Sequence, residues 1–121
     1  MFERDSREVA RARHVVKDLL CRWGLQADVA VFELAASELV SNALVHGTGQ
    51  VHLRLSWEAA RVRLEVGDDG ASAGGSPHLA VRRFGGWGLR FVDRLAESWG
   101  SERRGRGTLV WMVAPVSHEA A

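Results

Sequence analysis

Apolar residues recur at helical spacing in two long stretches near the start of the sequence. In residues 6–23 they return every three or four positions until Gly24, which predicts an amphipathic helix. Residues 28–46 are rich in Ala and Leu, with Asp28 as a capping residue and Gly47 directly behind them. We therefore expect two consecutive helices before the first strand.

Strict alternation of apolar and polar residues then replaces the helical spacing. It occurs in residues 51–57 and 62–66, which predicts a hairpin, and a second hairpin is predicted at 99–103 and 108–113. Between the hairpins, helical spacing returns after residues 86–88. This order predicts an α+β two-layer sandwich, a mostly antiparallel mixed sheet with three main helices on one face.

Composition indicates one domain over residues 1–121, because 121 residues suit a single core and 46% of them are hydrophobic. The net charge of +1 gives no electrostatic case for direct binding to nucleic acid or to a membrane surface. The sequence has no signal-like start and no apolar run of membrane-spanning length, so we expect a cytoplasmic protein. Cys21 is the only cysteine, which excludes a disulfide within the chain, and residues 117–121 are predicted to be a loose tail.

Two polar residues interrupt the apolar side of the second predicted helix. At about 100° per residue, Glu38 and Asn42 fall inside the arc that the apolar residues of this helix occupy. Burying a carboxylate one turn from an amide is costly unless a partner satisfies both. The pair suits a hydrated Mg²⁺ and a nearby water that attacks or is deprotonated. The alternative is a self-satisfied core network, and for the pair alone it is the favoured explanation.

Two further motifs are ambiguous when each is taken singly. Asp68 and Gly70 follow a predicted strand, where the carboxylate could accept from an exocyclic amine, yet Asp-Gly is also ordinary turn chemistry. The motif Gly86-Trp87-Gly88 opens a helix, and free N–H groups at a helix start favour anionic oxygens. It is neither a P-loop nor a Rossmann fingerprint. The irregular residues 70–86 between these motifs are predicted to form a lid.

In combination these motifs predict an ATP site. A Mg²⁺-binding amide, a carboxylate, an adenine acceptor, a lid and an anion-binding helix start follow one another within a short part of the chain. His46 lies near Asn42 on the same helix, but the histidines show no metal-ligand spacing, so we expect a structural role for it.

The same segments resemble the GHKL superfamily of ATP-binding domains. Residues 38–47 are similar to its N box, 66–70 to its adenine-binding box and 86–89 to its glycine box, while Gly107-Thr108 is similar to the strand whose threonine lies near the adenine. The resemblance covers essentially the whole chain. Size and motif wording are most similar to the bacterial anti-sigma-factor serine/threonine kinases, above all the small ATP-binding regulators of actinomycetes.

The resemblance implies roles for the matching residues. Glu38 would be the general base, Asn42 would coordinate Mg²⁺ bridging the phosphates, and Asp68 would accept from the adenine amino group. The residues implied to bind ATP are Asn42, Asp68, Gly70, Gly86, Trp87, Gly88, Leu89 and Thr108.

The function implied is phosphorylation of an anti-anti-sigma (STAS-type) partner by a serine/threonine kinase that also holds a sigma factor, with ATP and Mg²⁺ as cofactors. A homodimer is the usual assembly of such kinases. The alternatives are a non-catalytic, nucleotide-dependent anti-sigma or adaptor module, and a simple ATPase. Two departures from the family stand out: the lid is short, with no second glycine close behind Gly70, and at most residues 1–4 remain of the usual N-terminal strand.

Overall fold

A computed structural model of the chain describes residues 2–46, 50–68 and 88–120. The predicted lid, Gly70, Gly86 and Trp87 lie outside these ranges. The elements in chain order are helix α1 (Phe2–Arg22), a 3₁₀ turn (Gln26–Asp28), helix α2 (Val29–His46), strands β1 (Val51–Glu58) and β2 (Arg61–Asp68), helix α3 (Gly88–Leu95), and strands β3 (Ser98–Arg104) and β4 (Gly107–Pro115).

The four strands form one sheet in the order β1-β2-β4-β3. Every pair among these described strands is antiparallel. The two predicted hairpins are therefore present, and they join through β2 and β4, with Val66 opposite Val110 and Leu64 opposite Met112. The predicted α+β class is confirmed, with the central strands taken from different hairpins.

The core lies between the helices and one face of the sheet. Alternate residues of the central strands are buried, as the alternation in the sequence predicts: Val62, Leu64 and Val66 on β2, and Met112 and Ala114 on β4. Helix α2 contacts α1, α3 and β2, so it is the middle helix of the layer. Its fully buried Phe32 and Leu39 each stabilise the fold by about 1.5–3 kcal/mol relative to an exposed side chain.

The second helix ends at His46 as predicted, but α1 and α3 differ from the prediction. Helix α1 begins at Phe2, so residues 2–4 are helical and provide no N-terminal strand. Helix α3 ends at Leu95, although helical spacing continues to Trp99 in the sequence. The Trp99 side chain lies on β3 instead and its Nε1 donates to Asp93 Oδ1 at 2.8 Å. The spacing of three or four residues therefore continues beyond the end of α3, because Val92 on the helix and Trp99 on β3 both pack against the same core.

Hydrogen bonds connect the C-terminal residues to the rest of the fold in the part that the structure describes, up to residue 120. Ser117 donates to Asp28 Oδ2 from its Oγ at 2.8 Å and from its backbone N–H at 3.1 Å. The N–H of Ala120 donates to the carbonyl of Ala59 at 2.8 Å. Asp28, predicted to cap the second helix, instead fixes a segment distant in sequence.

No helix of the described residues combines the length and the apolar character that crossing a bilayer requires.

Candidate functional site

Glu38 and Asn42 lie at the edge of the buried face of α2 and are half-buried. The residues of α2 that reach the core are Phe32, Ala35, Ala36, Leu39 and Val40. The prediction that the polar pair lies inside the apolar arc is therefore corrected, since no polar side chain is fully buried in the described part of the chain. The apolar arc predicted from the sequence was too broad because it included Val31 and Leu34 among the core-facing residues, and Leu34 is exposed.

The polar pair faces away from α1. Val40 and Leu44 of α2 line a groove together with Ala12 and Val15 of α1, so this side of α2 faces α1. Val40 lies two residues after Glu38, which turns it by about 200° around the helix axis. Because α2 contacts both α1 and α3, Glu38 is on the side where α3 lies.

Burial changes the acid–base character of Glu38. Desolvation raises the pKa of its carboxyl group above the ordinary glutamate value, because the charged form loses part of its hydration. A carboxylate with a raised pKa is a stronger base. Glu38 is thus suited to accept a proton.

Asp68 and Thr108 meet at the ends of the two central strands. Asp68 is the last residue of β2 and Thr108 the second residue of β4, and both are half-buried. The register that pairs Gly67 with Leu109 places Thr108 beside Asp68. A carboxylate and a hydroxyl next to each other at a strand end can accept from, and donate to, one planar polar ligand.

Gly67 is a residue whose structural role the sequence reasoning missed. A Cβ built on it would lie 3.2 Å from Leu109 Cδ1 and 3.3 Å from the Thr108 carbonyl oxygen, so glycine allows β4 to lie close at this point. The available signal was a glycine inside an otherwise alternating strand.

The C-terminal half of α2 lies at the same end of the sheet as Asp68. Only residues 47–49 separate α2 from Gln50, and the next residue, Val51, pairs with Asp68. Asn42, in the last part of α2, is therefore brought towards the strand end that carries Asp68 and Thr108. Residues far apart in sequence converge there.

Helix α3 begins at Gly88, with Leu89 second. The N–H groups of a first helical turn have no partner within their own helix and are available to an anion. The helix is anchored by the buried Val92 and by the hydrogen bond between Asp93 and Trp99. Its contact with α2 brings it to the side of α2 that carries Glu38.

The described residues contain no cluster of three or more His, Cys, Asp or Glu side chains that could hold a metal ion. A magnesium ion held by one amide and by nucleotide phosphates needs no such cluster, because Mg²⁺ keeps waters and takes few protein ligands. The single amide oxygen that Asn42 offers fits a magnesium ion held mainly by phosphates and water.

Comparison with known proteins decides the family. The sequence model of the histidine kinase-like ATPase domain matches residues 2–114, nearly the whole chain. The chain belongs to the histidine kinase-like ATPase domain family. Neither the search of curated proteins nor the search of solved structures found a match. Membership in this ATPase-domain family supports an ATP-binding regulatory function with a kinase or ATPase activity.

Proposed function

We propose that this histidine kinase-like ATPase domain is a cytoplasmic anti-sigma-factor serine/threonine kinase. It binds ATP with Mg²⁺, phosphorylates an anti-anti-sigma (STAS-type) partner, also holds a sigma factor, and works as a homodimer. The observation that carries the proposal is the half-buried Glu38, whose raised pKa and position beside α3 suit a general base.

Nucleotide binding is assigned to the strand ends and to the start of α3. Asp68 would accept from the adenine amino group, with the Thr108 hydroxyl adjacent to it by strand register. Backbone N–H groups at Gly88 and Leu89 would bind phosphate oxygens. Asn42 would hold Mg²⁺, which when bound spreads the negative charge of the phosphates. The proposal also includes the predicted ATP contacts of Gly70, Gly86 and Trp87.

Phosphoryl transfer needs one proton acceptor from the chain. Glu38 takes the proton from the incoming serine or threonine hydroxyl, that oxygen attacks the γ-phosphorus of ATP, and ADP leaves. The products are a phosphorylated partner, ADP and a protonated Glu38, which returns its proton to water.

The experiment is a pull-down of partners from the host with and without ATP, followed by mapping of phosphorylated residues. We expect one partner to carry a new phosphoserine or phosphothreonine when ATP and the chain are both present. A partner that binds in an ATP-dependent way but is never phosphorylated would replace the kinase by a non-catalytic binding module. Release of phosphate without any acceptor would identify a simple ATPase.

A further inference from the structure

Arg103 lies on the helix-facing side of β3, at the end of the sheet that carries Asp68 and Thr108. It pairs with Thr108 in the register of β3 and β4. Trp99, earlier on β3, pairs with the buried Met112 and packs against the core. Because side chains alternate along a strand, Arg103 is on the same face as Trp99, towards the helices.

Asp68, Thr108 and Arg103 form one row across the neighbouring strands β2, β4 and β3. Arg104 and Gly107 are the pair next to the turn of the second hairpin, which makes them a hydrogen-bonded pair. Arg103 and Thr108 are then the next, non-hydrogen-bonded pair, whose Cα atoms lie about 4.5 Å apart and whose side chains are close. Arg103 is therefore a direct neighbour of the strand ends assigned to adenine.

Helix α3 begins at the same end of the sheet. The N–H of Glu97, which follows the helix, donates to the carbonyl of Val113 at 2.8 Å, so the helix ends far from Thr108 along β4. Its buried Val92 packs into the core between the helices and the sheet. The helix therefore extends back across the core towards the end of β4 that carries Thr108, and Gly88 is its residue nearest to that end.

Arg103 and the first turn of α3 border the same space. The hydrogen bond from Trp99 to Asp93 joins β3 and α3 at one point along their lengths. From Asp93 back to Gly88 the helix covers about 7.5 Å, whereas β3 covers about 13 Å from Trp99 to Arg103. Arg103 therefore lies about 5 Å beyond the helix start, with its side chain on the side of the sheet where the free N–H groups of the first turn lie.

The guanidinium of Arg103 is free to bind a ligand. Its side chain is exposed and makes no ion pair or hydrogen bond with another residue of the described chain. Its neighbour Arg104 is on the other face of the sheet and donates from Nε to Glu102 Oε1 at 2.8 Å. Because a guanidinium has N–H donors and no acceptor, it binds anionic oxygens, which the start of α3 also favours. Both groups can therefore donate to one anion.

We propose that Arg103 binds the phosphate groups of ATP from the β3 side of the nucleotide site. This inference rests on the nucleotide site of the proposed function and adds a residue to it. Asp68 would hold the adenine at one end of the row, and the phosphates would extend towards α3, the side on which Arg103 lies. The charge of Arg103 would hold the phosphates in place and offset part of their negative charge, while Asn42 on α2 is assigned to the metal.

The first test is calorimetry of ATP binding in the presence of Mg²⁺. Arg103→Ala should raise the dissociation constant about tenfold or more, because it removes charge-assisted hydrogen bonds to phosphate. Arg103→Lys should lie between this variant and the wild type, since it keeps the charge and loses the planar fork of donors. Circular dichroism and urea unfolding establish that both variants are folded.

Arg104→Ala is the matched control. It removes the same charge from the adjacent residue of β3, which is also exposed but lies on the other face of the sheet. We expect its dissociation constant for ATP to stay within about twofold of the wild-type value, because an exposed charge that does not touch the ligand is screened by salt. Equal losses in Arg103→Ala and Arg104→Ala would mean that net charge alone acts, and would overturn the proposal.

The second test identifies the part of the ligand that Arg103 contacts. ATP, ADP and adenosine are each titrated in competition with a fluorescent ATP derivative. Arg103→Ala should weaken ATP about tenfold or more and adenosine less than about twofold, since adenosine has no phosphate. A loss for ADP equal to that for ATP would place the contact before the γ-phosphate, and a loss for ATP alone would place it at the γ-phosphate. An equal loss for adenosine would contradict a phosphate contact.

The wild-type measurement separates this inference from the proposed function. A wild-type chain that binds no ATP would overturn the nucleotide site and the role of Arg103 together. If the wild type and Arg103→Ala bind ATP equally well, the nucleotide site stands and Arg103 is only a solvated cation on an edge strand. The phosphate contact does not depend on transfer to a partner, so binding tests it even if the domain is a non-catalytic module.

Discussion

At the scale of single residues, partial burial suits the role proposed for Glu38 better than full burial would. A fully buried carboxylate would be neutral or would need a fixed cation, and neither state leaves it ready to take a proton. At the edge of the core, desolvation raises its pKa while solvent and a ligand can still reach it. The same position on α2 makes Asn42 accessible one turn further along.

Glu38→Gln should bind ATP normally and lose phosphoryl transfer by about 100-fold or more, because the amide keeps the shape but cannot accept the proton. The measurements are calorimetry for ATP and transfer of radioactive phosphate to the partner. Glu33→Gln, a half-buried glutamate earlier on the same helix, is the control and should retain activity. Undiminished transfer by Glu38→Gln would remove Glu38 from the mechanism.

Glu38 also makes a prediction for stability against pH. Its pKa is higher in the folded than in the unfolded chain, so the folded state holds the proton more tightly. The stability that this provides is present below the unfolded pKa and is lost as the pH rises through the folded pKa. Urea unfolding at pH 4 and pH 7 should therefore show that Glu38→Gln stabilises the domain more at pH 7. A pH-independent effect would contradict the raised pKa.

Asn42→Ala should abolish magnesium-dependent ATP binding while the domain stays folded, because it removes the proposed metal ligand from a half-buried position without opening the core. Calorimetry with and without Mg²⁺ measures the effect, and circular dichroism reports the fold. Ser41→Ala, at the neighbouring half-buried position, is the control. Unchanged magnesium-dependent binding would exclude Asn42 as a ligand.

At the scale of elements, the C-terminal segment connects parts of the fold that lie far apart in the sequence. Ser117 reaches Asp28 at the start of the second helix, and Ala120 reaches the turn of the first hairpin at Ala59. The segment thus covers the end of the sheet at the turn of the first hairpin. Asp68 and Thr108, which are assigned to ATP, lie at the other end of their strands.

Asp28→Ala should lower the free energy of unfolding by about 1 kcal/mol, since it removes the acceptor for two hydrogen bonds at an exposed site. ATP binding should not change, because this contact involves none of the residues assigned to the nucleotide. Asp18→Ala, which removes an exposed ion pair with Arg22, should cost less. Chemical denaturation measures the free energy of unfolding of both variants. A loss for Asp18→Ala that equals or exceeds the loss for Asp28→Ala would contradict the anchoring role of Asp28.

At the scale of the whole molecule, a nucleotide bound at the proposed site would link α2, α3 and the central strands. A ligand that binds only the folded state stabilises it by about 2.7 kcal/mol at one hundred times its dissociation constant. We expect ATP with Mg²⁺ to raise the midpoint of thermal unfolding of the wild type and to leave Asn42→Ala unchanged. A rise of equal size in both would mean that ATP binds without the assigned magnesium ligand.

The sequence alone determined the helices, the hairpins, the α+β class and the family, because periodicity and short motifs are local properties of the chain. It also identified Glu38, Asn42, Asp68 and Thr108 as residues to test. Only the tertiary structure decided that Glu38 is half-buried on the α3 side of its helix, and that Asp68 lies beside Thr108. The hydrogen bond between Ser117 and Asp28 and the strand order of the sheet also required it. These features depend on which elements pack together, and periodicity within one element carries no record of its neighbours.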